Sequence, residues 1–102
     1  MAKQNKYTRS ARGQECQIRI PGVCNYNPET TVLAHLNGAG IGMKHPDIFG
    51  SYACSDCHDV VDARKVIFTD KTELTHDDIK LMHLEGVIRT QRIMIDSGVL
   101  KL

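Results

Sequence analysis

The chain has 102 residues, of which 41% are hydrophobic, 5% are aromatic and 25% are charged, and its formal net charge is +1. This length predicts one domain with a modest core that a bound metal would help to stabilise. No run approaches the eighteen apolar residues of a membrane span, and residues 1–15 lack a signal-peptide core. We therefore expect a soluble, cytoplasmic protein without a membrane partner.

The charge is unevenly distributed along the chain. The first 24 residues carry a net charge of +4 and the remainder carries −3. We expect residues 1–12 to form a basic flexible arm with at most a short helical turn, order to begin near Gly13, and a single domain to span residues 13–102. The arm residues predicted to bind nucleic-acid phosphates are Lys3, Lys6, Arg9 and Arg12. On charge alone, a solvated tail that aids solubility is an equal alternative.

The first cysteine pair, Cys16 and Cys24, flanks a predicted chain reversal. Residues 16–20 alternate polar and apolar side chains as a strand does, and Pro21-Gly22 fits the central positions of a type II turn. The reversal would bring the two thiols towards one ion, although the pair alone is a weak signal.

The second pair, Cys54 and Cys57, lies in the run Cys-Ser-Asp-Cys-His, which suits a c-type haem, a redox dithiol or zinc. Haem attachment requires export, and a redox dithiol has no need of a further cysteine pair. Two disulfides are another alternative, but a reducing compartment favours thiolates bound to metal. We therefore predict one structural zinc ion. Its ligands are Cys16, Cys24, Cys54 and Cys57.

A predicted strand over residues 31–36 ends near His35, and a glycine-rich stretch, residues 37–46, follows as an irregular loop. Its glycines do not match a phosphate-binding or dinucleotide-binding spacing, so we expect no nucleotide cofactor. Residues 47–53 are predicted to return as a strand or extended segment to the second cysteine pair.

Two helices complete the prediction. A short helix from about Asp56 to Lys65 would place His58 and Asp62, four residues apart, on one face. Residues 66–68 would be extended and residues 69–71 a turn. A long helix would begin after the N-cap Thr75 and end near Ser97, at Gly98.

The long helix should cover the core with an apolar face, and Gly86 on it should mark close packing. The predicted covering residues are Leu81, Leu84, Ile88 and Ile95, with Val87 and Met94 beside them. We expect His76 and His83 to be surface residues and Arg89 and Arg92 to be solvated, with phosphate contact as the alternative for the two arginines.

A histidine at a strand end, a glycine-rich loop and Cys-x2-Cys-His before a helix resemble the HNH, or ββα-metal, nucleases. The resemblance implies an α+β, zinc-stapled, treble-clef-like domain in which His35 is the general base and His58 binds a divalent ion with Asp62. HNH enzymes usually place another metal ligand directly before the base, where this chain has Ala34. The residues considered as its replacement are Asp47, Asp59 and Asn37. Lys44 is a candidate phosphate clamp or transition-state stabiliser, with a surface lysine as the alternative.

The chain is most similar to a small prophage-encoded group, the YbcO-like nucleases. The runs that carry this resemblance are Cys-Gln-Ile-Arg-Ile-Pro-Gly-Val-Cys-Asn, Ala-His and Ala-Cys-Ser-Asp-Cys-His-Asp. It implies an endonuclease that hydrolyses DNA with catalytic Mg²⁺ or Mn²⁺. The alternative is a non-catalytic zinc module that binds nucleic acid or a protein, and the oligomeric state stays open.

Overall fold

The computed structural model describes residues 5–40, 43–62 and 75–101, and for residues 37–40, 43–44 and 76 the backbone alone. Its elements, in chain order, are helix α1 (Lys6–Ser10), a 3₁₀ turn (Pro28–Thr30), strands β1 (Val32–His35), β2 (Asn37–Gly40) and β3 (Met43–Lys44), a second 3₁₀ turn (Asp47–Phe49), strand β4 (Gly50–Ala53) and helices α2 (Ser55–Val61) and α3 (His76–Asp96). This order of short strands and helices confirms the predicted α+β class. None of the helices in the described ranges combines the length and the hydropathy of a membrane-spanning segment.

The central pair of strands is β1 and β4, which run antiparallel with Val32 opposite Ala53 and His35 opposite Gly50. The predicted return strand is therefore confirmed for residues 50–53, whereas residues 47–49 form a 3₁₀ turn instead. In sequence, β2 and β3 lie between these two strands, and they pair with each other as a second antiparallel ribbon with an irregular register. The prediction of an irregular loop was wrong for this stretch, because backbone pairing makes a ribbon there despite the glycines.

The segment between the first two cysteines is irregular, so the predicted strand over residues 16–20 was wrong. Arg19 takes a left-handed backbone conformation with φ of 53°, which interrupts an extended path. The turn that follows is confirmed, since the N–H of Val23 donates to the carbonyl of Ile20 at 3.0 Å. Gly22 within this turn has φ of 76°, as a type II turn requires.

Ordered structure begins earlier than the sequence indicates. Asn5 caps α1, Thr8 completes a capping box with it, and Ala11 directly after the helix is fully buried. The hydroxyl of Ser10 lies 2.8 Å from that of Tyr52 in β4. The short helical turn expected in the arm is therefore present, and caps and a contact with Tyr52 hold it against the domain.

Helix α2 begins at Ser55, where Cys54 is the N-cap, and ends at Val61 with Asp62 as the C-cap. The remainder of the longer predicted helix, together with the expected extended segment and turn over residues 66–71, lies outside the described residues.

Helix α3 has the predicted ends. Thr75 and Asp78 form a capping box at its start, and Gly98 follows its end with φ of 82°. The predicted covering face was wrong for three leucine and isoleucine residues, whereas the flanking Val87 and Met94 are buried as expected. Leu81, Leu84 and Ile88 are 56%, 39% and 67% exposed.

The buried face of α3 consists of smaller and more polar side chains. These are His83, Val87, Thr90 and Met94. The polar side chains of this face find backbone partners on the strands. In β4, the N–H of Tyr52 donates to the hydroxyl of Thr90 at 2.9 Å. The prediction that His83 is a surface residue was also wrong, since it is 4% exposed and its Nε2 lies 2.8 Å from the carbonyl oxygen of Ala34.

Further polar side chains of α3 bind backbone atoms of other segments. Arg89 donates to the carbonyl of Gln17 at 2.8 Å, and Gln91 donates to that of Ile48 at 2.5 Å. The predicted close packing at Gly86 is confirmed, because a Cβ there would lie 2.5 Å from Oγ of Ser51. Helix α3 thus crosses β4 at close range and contacts the N-terminal segment as well.

Candidate metal centre and active site

The four cysteines form one compact group in which all the Sγ atoms lie within 4.8 Å of one another. All four are free thiols, which contradicts the alternative of two disulfides. Cys24 and Cys54 are 3.8 Å apart at sulfur. Four Zn–S bonds of about 2.3 Å in a tetrahedron separate the sulfurs by about 3.8 Å, so the geometry fits zinc.

The close packing of the four cysteines shifts the pKa values of three of them. A hydrogen bond from the Cys57 thiol, the largest cause, lowers the pKa of Cys16 to about 4, whereas this bond and burial raise the pKa of Cys57. Desolvation raises the pKa of Cys24 to about 11. Burial thus disfavours the thiolate forms of Cys24 and Cys57, and a dication bound among these sulfurs would stabilise them. An all-sulfur, closed donor set is typical of a structural metal site.

His35 lies at the end of β1, where its Nε2 is 2.5 Å from Oδ1 of Asp47. The two side chains are 25% and 28% exposed. The hydrogen bond with His35 lowers the pKa of Asp47, and a second bond with Asn5 adds to this. The carboxylate is therefore ionised at neutral pH and can only accept, so a neutral His35 carries its proton on Nε2 and presents the lone pair on Nδ1.

The second oxygen of Asp47 accepts a hydrogen bond from Nδ2 of Asn5 at 2.5 Å. Both carboxylate oxygens are thus engaged by protein groups. Asn5 was not among the residues predicted from the sequence. The sequence pattern of an N-cap at Asn5, three residues before Thr8, could have been recognised. The contact with Asp47, 42 positions away, could not.

His58 and Asp62 meet as predicted, with Nε2 and Oδ2 3.0 Å apart. The Asp62 side chain is 4% exposed and that of His58 is 23% exposed. Neighbouring ligands of an octahedral ion with bonds of about 2.1 Å are about 3 Å apart, so the pair fits two positions around a divalent ion. Within the described residues, the cysteines are the one group of three or more close ligands, so water or phosphate would complete such an ion.

The remaining predicted residues lie in other parts of the chain. Lys6 and Arg9 are exposed on α1, and Nζ of Lys6 lies 5.1 Å from the centre of the Tyr7 ring. Arg12 is exposed just after the helix, Lys44 ends β3, Asn37 begins β2, and Lys3 lies outside the described residues.

Ala34, where a metal ligand was expected, is fully buried and packs in the same cluster as Cys16, Cys54 and Cys57. Its neighbour His35 is partly exposed, since successive side chains of a strand point to opposite faces. A carboxylate at position 34 would therefore enter the cysteine cluster.

Fold and site together define a small α+β domain with a four-cysteine cluster that could hold a metal and two histidine–carboxylate pairs. A family model described as "Putative nuclease YbcO" matches residues 5–99. The chain belongs to this family.

Relatives and a solved structure agree with this. The chain is 49% identical over 96 residues to "Putative nuclease YbcO" of Escherichia coli (strain K12) and, to the same extent, to "Putative nuclease ybcO" of Enterobacteria phage 82; each match covers 91% of this chain and 94% of the relative. A solved structure, "Structure of a putative bacteriophage protein from Escherichia coli str. K-12 substr. MG1655", superposes with a TM-score of 0.74 at 45% identity. The superposition covers 89% of this chain and 98% of the chain in the solved structure.

Proposed function

We propose that the protein is a metal-dependent endonuclease of the HNH, or ββα-metal, type that hydrolyses phosphodiester bonds of DNA. The family description supports a nuclease in general. The observation that carries the specific proposal is the His35–Asp47 pair at the end of β1. Strand β4 pairs with β1 and leads directly into α2, which bears His58.

His35 is the general base in this proposal. Asp47 accepts a hydrogen bond from Nε2–H of His35, so Nδ1 of His35 receives the proton of the attacking water. The carboxylate then stabilises the imidazolium that forms, and a base with a pKa near neutrality suits this transfer. Asp47 is therefore assigned to the orientation of His35, in place of the metal-ligand role considered from the sequence.

His58 and Asp62 would hold the catalytic ion, Mg²⁺ or Mn²⁺. When bound, the ion supplies positive charge that stabilises the phosphorane and the leaving oxygen. The pair is preorganised because Asp62 follows His58 by one helical turn and the Asp62 side chain is buried. Such an ion usually retains several waters and binds substrate phosphate, which agrees with a two-residue site.

The cysteine cluster would hold structural zinc and brace the catalytic elements. Cys54 is the residue between β4 and α2, and Cys57 directly precedes His58. With zinc bound, Cys54 and Cys57 would fix the start of α2 and thereby the direction of His58. The proposed phosphate contacts are the exposed side chains of Lys6, Arg9 and Arg12, together with Lys3 and Lys44.

Cleavage of supercoiled plasmid with Mg²⁺ or Mn²⁺ tests the proposal. His35→Ala should lower the rate by about 10²- to 10⁴-fold while divalent-ion affinity is retained, because only the base is removed. His58→Ala should lose ion affinity and recover partly in excess Mn²⁺, with Asp62 as the remaining anchor. His45→Ala is the matched control, since its ring packs against Phe49 and is assigned no role.

A wild-type protein that binds but does not cleave DNA would contradict the proposal. It would favour the alternative of a non-catalytic zinc module that binds nucleic acid. The buried Ala34 favours this alternative, since alanine provides no metal ligand at a position where HNH enzymes usually have one. A His58→Ala variant that loses zinc would likewise assign His58 to the structural site.

A further inference from the structure

The side chain of Asn5 serves two purposes at once. Its Oδ1 accepts the backbone N–H groups of Tyr7 at 2.9 Å and Thr8 at 3.0 Å, as an N-cap residue does. Its Nδ2 donates to Oδ2 of Asp47. A single planar amide thus connects the first turn of α1 to the carboxylate that holds His35.

The second donor has a mechanical consequence for Asp47. The terminal torsion of an aspartate is broad, so one hydrogen bond from His35 leaves the carboxylate free to turn. A donor on each oxygen removes this freedom. The direction of the His35 ring therefore depends on the position of α1.

We propose that Asn5 is a positioning residue for His35 that acts through Asp47 and joins the basic helix α1 to the general base. The kinetic part rests on the proposed nuclease function, whereas the hydrogen-bonded chain does not. Lys6 directly follows Asn5, so a DNA phosphate bound by the Lys6 side chain and the water-activating imidazole would belong to one connected unit. Contact with the substrate backbone would then align the base with the bond to be cleaved.

Serine at position 5 separates the two tasks. Asn5→Ser keeps an N-cap oxygen for α1, because serine caps a helix as well as asparagine does. Its short side chain lacks the amide that donates to Asp47. Asn27→Ser is the matched control, since Asn27 caps the 3₁₀ turn before β1 through the N–H of Glu29 and is assigned no catalytic role. Asn5→Ala removes the cap and the amide together.

Two measurements are made on each zinc-loaded full-length protein. Imidazole proton–nitrogen NMR at neutral pH reports which ring nitrogen of His35 carries the proton. Steady-state cleavage of a duplex oligonucleotide with Mn²⁺ separates kcat from KM.

In the wild type and in Asn27→Ser we expect the Nε2–H form of His35. In Asn5→Ser we expect a mixture of tautomers and a kcat lower by about 10- to 100-fold, because small misplacements of a catalytic group have effects of this size. KM should change by less than about twofold, since Asn5 is not assigned to substrate binding.

A wild-type tautomer and kcat in Asn5→Ser would overturn the proposal. So would a kcat loss confined to Asn5→Ala, because helix capping would then be the cause. If the wild type cleaves no DNA, the nuclease proposal fails, and the His35 tautomer still decides whether Asn5 acts through Asp47.

Discussion

Asp47 is a charged residue whose interactions depend on pH. Hydrogen bonds with His35 and then Asn5 lower its pKa in the folded protein below the usual value of about 3.9. A lowered pKa means that the charged form stabilises the fold. This contribution is complete above the usual carboxyl pKa and is lost as the pH falls through the lower folded value.

Asp47→Asn should therefore lower Tm most at neutral pH, and its difference from the wild type should shrink as the pH falls below about 3.9. Differential scanning fluorimetry of both proteins across the acid range measures this, and metal loss in acid affects both alike. Glu29→Gln, which alters an exposed carboxylate of the first 3₁₀ turn, is the control. A difference between wild type and Asp47→Asn that is constant with pH would contradict the assigned interaction.

At the residue scale, local spacing predicted what lies close in sequence. Cys54 and Cys57 share one short turn, and His58 and Asp62 share one helical face, so their proximity follows from backbone geometry. The contact between Asn5 and Asp47 depends on where α1 packs, which no local pattern encodes.

At the scale of elements, α3 shows why an apolar stripe is an incomplete guide to burial. The prediction placed its larger aliphatic side chains inward. In the structure the inward face carries His83 and Thr90, which compensate for their burial by bonding to backbone groups of β1 and β4. Gly86 allows the close approach that these bonds require, so this approach determines which face is buried.

Gly86→Ala should destabilise the protein by about 1–3 kcal/mol, as overpacking does, although alanine favours a helix by about 1 kcal/mol. The added Cβ would lie 2.5 Å from Oγ of Ser51 and 3.2 Å from the carbonyl oxygen of Gln17. Urea denaturation of the zinc-loaded protein measures the free energy of unfolding.

Leu81→Ala on the exposed face is the control for this prediction, and it should change the free energy by less than about 0.5 kcal/mol. Ser51→Ala combined with Gly86→Ala should recover part of the loss, because the nearest atom is removed. A Gly86→Ala protein as stable as the wild type would show that α3 can move away from β4 without cost.

At the scale of the whole molecule, the two cysteine pairs connect the irregular N-terminal segment to the junction of β4 and α2. The sequence predicted this set because four thiols in a chain with a small core have few other uses. The geometry of the cluster could not be predicted, since Arg19 and the turn at Gly22, rather than a strand, bring Cys16 and Cys24 together.

Freshly purified protein should contain one zinc ion per chain, because four converging sulfurs complete a tetrahedron. Cys57→Ser should lose the zinc and the cooperative unfolding transition, while Ser55→Ala, an exposed position in the same helical turn, should retain both. Elemental analysis with circular dichroism makes the comparison. Folded Cys57→Ser protein without metal would show that the core suffices alone.

The way α3 binds its neighbours also constrains how sequences with this fold can diverge. His83, Arg89, Thr90 and Gln91 bond to backbone atoms, which every residue type presents. Side chains at the contacted positions, such as Ile48, can therefore be exchanged without loss of these bonds, provided that the new side chain packs. The polar positions of α3 have no such freedom, so mutational tolerance in this protein should be lower on the buried side of its long helix than on the segments that the helix holds.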